Sequence, residues 1–263
     1  MGKYLKTTIG LIIFCGNLFA VEKNELINGI ELPVAMDSLI AYYPLDVDAR
    51  DYSGNGLDGT VYGPKPFTDR NARPNPAMYF DGKDDYIDLN NSQKFKPDFP
   101  ITVALWFRSD RKYHQNFFTN NYDEDYYNGI NIGLLGKDYA RPKAGYGNGG
   151  LTTKFGRKTY AADFRIKELK WYHMVAIYHG RDSIQIYMDG ELMQGSYSGF
   201  ASSITYTDGP AMIGTKDTNY DAPPWYFKGA VDELFLFHRA LTADEIRRLM
   251  NFTHKPFPAL KTP

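Results

Sequence analysis

A chain of 263 residues with 43% hydrophobic and 23% charged residues has room for one large core, and all-β domains of roughly 200–250 residues are ordinary. The formal net charge of -1 excludes an electrostatic grip on nucleic acid or on an anionic membrane. The aromatic share of 16%, led by 21 Tyr and 17 Phe, suits strands and also supplies flat faces for recognition.

The chain opens with Lys3 and Lys6, an apolar run from Ile9 to Phe14 and a small-residue end at Ala20. This pattern predicts a secretory signal peptide over residues 1–20, cut after Ala20, and hence an exported protein that is secreted, periplasmic or cell-surface. The run is too short to span a bilayer comfortably, so no transmembrane segment is expected once it is removed. Cys15 is the one cysteine and lies inside this leader after Phe14, whereas lipid-attachment cysteines follow small residues. The mature chain therefore has neither disulfides nor thiol chemistry.

Residues 21–36 read as an N-terminal linker or arm. From residue 37 to 251 short β-branched and aromatic runs alternate with Gly, Asn, Asp or Pro about every ten residues, the spacing of a sandwich. Strands are expected at Leu39–Leu45, Ala77–Phe80, Ile101–Arg108, Gly129–Leu134, Trp171–His179, Ser183–Met188, Ala211–Gly214 and Gly229–His238. A Gly180–Asp182 turn makes Trp171–His179 and Ser183–Met188 a hairpin, followed by a second turn at Asp189-Gly190. In Ile101–Phe107 the odd positions share one face while Ala104 and Trp106 share the other, so this strand should be central and covered on both sides. Trp106 and Trp171 are assigned to the core. Near the end, Thr242 and Glu245 form a capping box ahead of the apolar stripe Ile246, Leu249 and Met250, which predicts one short helix. Residues 252–263 are a Pro-rich tail.

In this order stand Leu39-Ile-Ala-Tyr-Tyr-Pro-Leu-Asp46, Asp51-Tyr-Ser-Gly-Asn-Gly-Leu-Asp-Gly59 and Phe80-Asp-Gly-Lys-Asp-Asp-Tyr86. Ile101–Phe107, Trp171–Val175, Ile186–Leu192, Gly229–Leu234 and Arg239–Ile246 follow. The series resembles the concanavalin A-like lectin/glucanase superfamily, in its laminin-G-like jelly-roll branch, across nearly the whole mature chain. The resemblance implies an all-β fold of two stacked antiparallel sheets with ligand loops at an edge or along the concave face. It leaves the ligand open, because fold and function are separable.

Asp46, Asp81 and Asp232 stand at strand ends, and strand parity puts Asp232 on the side of Leu234 and Leu236, a face that should be buried. A buried carboxylate needs a partner. The resemblance implies that the first, Phe-Asp-Gly and last long strands lie side by side, which would bring the three acids together around calcium, a hard ion that takes oxygen ligands; the alternative is that they cap turns and meet backbone amides. Candidate ligand-binding residues lie in three aromatic, polar loops, Tyr126 and Tyr127 beside Asp123–Asp125; Tyr139, Arg141 and Tyr146 in the stretch 138–146; and Tyr220, Trp225 and Tyr226, because rings stack on sugar faces while polar neighbours bind hydroxyls. Single rings among them can equally close the ends of the sandwich.

No strand carries the Glu-x-Asp-x-x-Glu pattern of laminarinase-type glucanases, and Asp232-Glu233, being consecutive, should face opposite sides. Gly-x-Ser-x-Gly and phosphate-cradling motifs are absent, and the histidines lack zinc-like spacing. The expectation is a non-catalytic extracytoplasmic lectin-like domain with a structural calcium, whose partner is a glycan or cell-surface protein. The alternatives are a protein-interaction or adhesion module, and an atypical glycoside hydrolase.

Overall fold

The computed structural model describes residues 26–27, 30–74, 76–120, 126–136, 140–150, 153–215 and 226–254. Its strands in chain order begin with β1 (Leu26–Ile27) and β2 (Ile30–Glu31), which pair with each other, then β3 (Leu39–Tyr43), β4 (Thr60–Tyr62), β5 (Lys65–Phe67), β6 (Ala77–Asp81) and β7 (Tyr86–Asp88). There follow β8 (Ile101–Ser109), β9 (Gln115–Asn120), β10 (Ile130–Leu135), β11 (Arg141–Gly147), β12 (Arg157–Ala162), β13 (Trp171–Gly180) and β14 (Ser183–Met188). The series closes with β15 (Glu191–Leu192), β16 (Gly195–Gly199), β17 (Ala211–Ile213), β18 (Lys228–Phe237) and helix α1 (Ala243–Asn251).

Two antiparallel sheets form a sandwich. The first runs β16-β12-β11-β10-β9-β17-β7-β4, and the second β15-β14-β13-β8-β18-β6-β5 with β3 also on β18. Ile101, Val103, Leu105 and Phe107 point between the sheets and meet Phe80, Phe117 and Leu236 there. Ala104 points to the outer face of the second sheet, where Tyr42, Phe235 and Phe237 meet Leu32 and Val34 of the arm and Ile246 and Leu249 of α1. Strand β8 is thus covered on both faces and flanked by β13 and β18, as its two-sided apolar pattern requires.

The expected hairpin of β13 and β14 forms, with Met174 opposite Met188. Its sequel, Asp189-Gly190, has φ +49° and +84°, the twin positive angles of a tight turn matched to strand twist. Residues 141–147 form strand β11 and not a loop.

Strand β18 departs from regular geometry at one point. Between the pairs Asp232↔Trp106 and Phe235↔Ala104 it spends three steps against two on β8, and the extra residue, Glu233, has φ +54°. This is a β-bulge. On the opposite edge of β18, β6 pairs as far as Val231 and β3 takes over from Leu234, so the bulge sits at the seam between two partner strands.

Helix α1 starts on the expected capping box: Thr242 Oγ1 accepts from Glu245 N, and Glu245 Oε2 accepts from Thr242 N at 2.8 Å. Arg239 donates to the same carboxylate at 2.6 Å. Thr242→Ala is expected to cost about 1 kcal/mol, the usual worth of a lost N-cap, read as a lower denaturation midpoint with an unchanged slope.

Candidate functional site: a tryptophan groove above a buried acid cluster

The bulge shifts strand parity by one residue. Asp232 therefore lies on the outer face with Phe235 and Phe237, and not with Leu234 and Leu236, which face the inter-sheet core. Glu233 reaches the same outer side, where its Oε2 accepts from Tyr42 Oη at 2.5 Å and its Oε1 from His254 N at 2.6 Å. The two consecutive acids, 0% and 2% exposed, are neighbours in one cluster.

That cluster is built by the turn before β6 and the segment after α1. Arg70 donates to Asp232 Oδ2 at 2.5 Å, to Thr253 Oγ1 at 3.1 Å and to the Phe252 carbonyl. Arg73 donates to Asp69 Oδ2 at 2.8 Å and to the His254 carbonyl at 2.9 Å. Asp46 stands at the edge, its Oδ2 3.9 Å from His254 Nε2. Four carboxylates, Asp46, Asp69, Asp232 and Glu233, thus face two guanidiniums. Burial, more than any other influence, pushes Glu233 up to about 7 and Asp46 to about 6, and it holds Asp232 well above the carboxylate range. Burial and Arg73 bring His254 down to about 4, so it is neutral.

Beside this cluster a groove of about 490 Å³ opens on the outer face, lined by Trp106 and Trp171 with Arg70, Asn71, Asp189, Asn251, Thr253 and Met250. Trp106 stands in a row across three strands, between His173 on β13 and Asp232 on β18. The Arg70 guanidinium lies 4.5 Å above its ring and the His173 ring 5.3 Å away. Trp106 Nε1, His173 Nδ1 and Asp232 Oδ1 have no hydrogen-bond partner among the described residues. Asp189 is fixed by its turn and accepts from His173 N at 2.9 Å. Both tryptophans are half-buried walls of this groove, contrary to their assignment to the core. The Trp171 indole and the part of Trp106 that Arg70 leaves uncovered, with amide, carboxylate and hydroxyl groups beside them, can hold a ligand rich in hydroxyls.

The family model described as the concanavalin A-like lectin/glucanases superfamily matches residues 81–247, well over half of the chain. The chain belongs to that superfamily. The search of curated proteins finds no match. Among solved structures, this concanavalin A-like chain is similar to domain 4 of an extracellular GH43 arabinanase from Geobacillus stearothermophilus, in complex with arabinotriose: TM-score 0.59, 19% identity, 81% of this chain and 98% of that one covered. It is also similar to the Trypanosoma rangeli sialidase in complex with sialic acid (TM-score 0.56, 18% identity, 84% of this chain but 34% of that one). The binding domain of botulinum neurotoxin DC in complex with rat synaptotagmin II gives TM-score 0.56 at 13% identity, over 82% of this chain and 52% of that one. The concanavalin A-like fold thus occurs within glycosidases and in binding domains, with carbohydrate or protein bound.

On this concanavalin A-like frame the expected metal triad is not brought together. Strands β3 and β6 do both flank β18, but Asp81 is registered to Lys228, four residues and about 13 Å along the strand from Asp232. Asp46 and Asp232 belong instead to the acid cluster, where Arg70 pairs with Asp232 at 2.5 Å. Asp81 meets Asp84 and Asp85, with one carboxylate oxygen from each within 4.8 Å of the others. Of the expected ligand residues, Tyr146 is 1% exposed and donates to the Ala201 carbonyl, so it fills the core and cannot stack on a ligand. Arg141 is held by the carbonyls of Ala161 and Ala162 and by Asp163 at 2.7 Å, which makes it a strand-edge clamp. Tyr126 is exposed, Tyr127 lies beneath the Arg157 guanidinium at 5.8 Å, and Tyr226 is half-buried just before β18. Tyr139, Tyr220 and Trp225 lie outside the described residues.

Glu233 gives the cluster a pH signature. Because its folded pKa is about 7 and its unfolded value about 4.3, the native state binds the extra proton between those limits. Its contribution to stability therefore falls as pH rises through that window and is flat above it. In Glu233→Gln that dependence is absent. Denaturant melts at about pH 5 and about pH 8 should show the variant gaining on the wild type at the higher pH; a constant difference would remove the raised pKa.

Proposed function

We propose that the chain is an exported, non-catalytic carbohydrate-binding domain and that the Trp106–Trp171 groove is its glycan site. The observation that carries this reading is that two half-buried tryptophans line one groove together with amide, carboxylate and hydroxyl side chains. Sugar recognition needs that combination: ring faces for the apolar side of a pyranose or furanose, and fixed polar groups for its hydroxyls. Binding is favoured over hydrolysis because Asp232 and Glu233 are buried beneath Arg70, Tyr42 and the segment after α1, closed to a polymer chain. A glycosidase needs its acid pair open to the scissile bond. Export rests on the leader pattern of residues 1–20. Among the described residues no helix is long and apolar enough to cross a membrane.

A protein-interaction role is favoured by a different feature. Phe155 and Phe200, 64% and 61% exposed, lie with ring centroids 5.6 Å apart under Lys154. A protein partner would use such an apolar patch, so Phe155→Ser with Phe200→Ser separates the two readings.

The structural calcium is proposed at Asp81, Asp84 and Asp85. Three hard oxygen donors this close suit calcium, and Asp85 is already held above its usual range by burial and by its two neighbours' charge.

Trp171→Ala is expected to weaken binding on a polysaccharide array by an amount on the order of 2 kcal/mol, with the melting temperature nearly unchanged; undiminished retention would remove this groove. Chelation is expected to lower the melting temperature, because an ion bound only to the folded chain stabilises it by mass action. Identical melts with and without chelator would remove the metal.

A further inference from the structure

A second pocket, of about 350 Å³, lies on the other side of the segment that follows α1. Thr253 lines the tryptophan groove, whereas His254 lines this pocket together with Asp46, Asp48, Arg50, Tyr52, Val47, Pro44 and Pro76. Its charge is unbalanced. Arg50 is committed to Asp48 at 2.7 Å, Arg73 to Asp69 at 2.8 Å and Arg70 to Asp232 at 2.5 Å, so Asp46 feels the Arg73 charge from nearby but has no arginine or lysine ion pair of its own among the described residues.

The polar atoms at this spot are also unmatched. Asp46 Oδ1 and His254 Nδ1 have no hydrogen-bond partner among the described residues, and the His254 side chain is 2% exposed. Asp46 is 17% exposed at the side chain, so it is the cluster's opening to the pocket. The imidazole, kept neutral by burial and by Arg73, stands with Nε2 3.9 Å from Asp46, beyond hydrogen-bond reach, so it does not satisfy the carboxylate. The remaining wall is Tyr52, whose ring sits edge-on to His254 at 5.1 Å, with the carbon surfaces of Val47 and the two prolines.

A carboxylate with an unpartnered oxygen beside a tyrosine ring matches a group that has N–H donors and a full positive charge. The space is far larger than a bare ion needs and is partly apolar, so the cation should be attached to carbon. We propose that the pocket at Asp46 is a binding site for a primary ammonium group carried on a small carbon body that lies against Tyr52 and Val47. Asp46 supplies the countercharge, and Tyr52 supplies the ring face. The site does not depend on the glycan groove, whose residues are different. The burial that raises Asp46 to about 6 is relieved when a cation arrives, so binding favours the ionised acid.

The test titrates the full mature chain with glucosamine and with Nα-acetyl-lysine amide, followed by NMR or calorimetry. N-acetylglucosamine and the lysine compound acetylated on its side-chain nitrogen serve as controls that keep the carbon body and lose the charge. At least one amine is expected to bind more tightly than its acetylated partner. Asp46→Asn should weaken that binding by roughly tenfold, the scale of losing one partly desolvated charge contact. Tyr52→Leu should weaken it as well, and Trp171→Ala should leave it unchanged. Preference for the sugar amine identifies an amino sugar as the source, and preference for the lysine compound identifies a protein side chain. Binding of the acetylated controls equal to the amines, binding unchanged in a folded Asp46→Asn or Tyr52→Leu protein, or no binding of either amine would overturn the proposal.

Discussion

One extra residue in β18 decides what the outer face of the second sheet contains. Without the bulge at Glu233, one of the two consecutive acids would point into the inter-sheet core beside Leu234 and Leu236, where a lone carboxylate costs several kcal/mol or loses its charge. With the bulge, both acids emerge on one side at the seam between β6 and β3. There Arg70, Tyr42 and the backbone of His254 receive them. The segment after α1 is thereby tied across the sheet, and its two sides become the walls of two different pockets.

The arrangement links fold to recognition through rigid parts. Trp106 belongs to the central strand, and its ring is clamped between Arg70 and His173. Asp189 is set by a turn that only positive φ angles can make. A site built this way is ready before a ligand arrives, so less ordering entropy opposes binding. The acid cluster beneath is held together by hydrogen bonds but carries more acids than guanidiniums, so its stability depends on pH.

Much of the fold was legible in the sequence because it rests on period-two patterns and turn chemistry. The faces of Ile101–Phe107, the β13–β14 hairpin and the Thr242–Glu245 capping box follow from local rules, and each appears as expected. The site was less legible, because parity arguments assume an unbroken strand and Val231-Asp-Glu-Leu234 carries no Gly or Pro to mark a bulge. The clue that was available is the Asp-Glu pair itself: two adjacent acids inside an otherwise apolar strand cannot both be accommodated without an irregularity. The tryptophans were misplaced for a related reason. Strand position gives the face on which Trp106 lies, but whether that face is covered depends on where α1 stops, and α1 covers Ala104 while leaving Trp106 at the rim. Tyr146 fails as a ligand residue because a loop-like composition concealed a strand whose alternate residues face the core.

The central claim is that Trp106 and Trp171 form the surface that meets a glycan. The chain has three tryptophans, Trp106, Trp171 and Trp225, so the indole N–H resonances can be resolved and assigned one by one. Titration with a polysaccharide fragment that binds should move the Trp106 and Trp171 signals together along a single isotherm. Saturable binding that leaves both of these signals in place would contradict it.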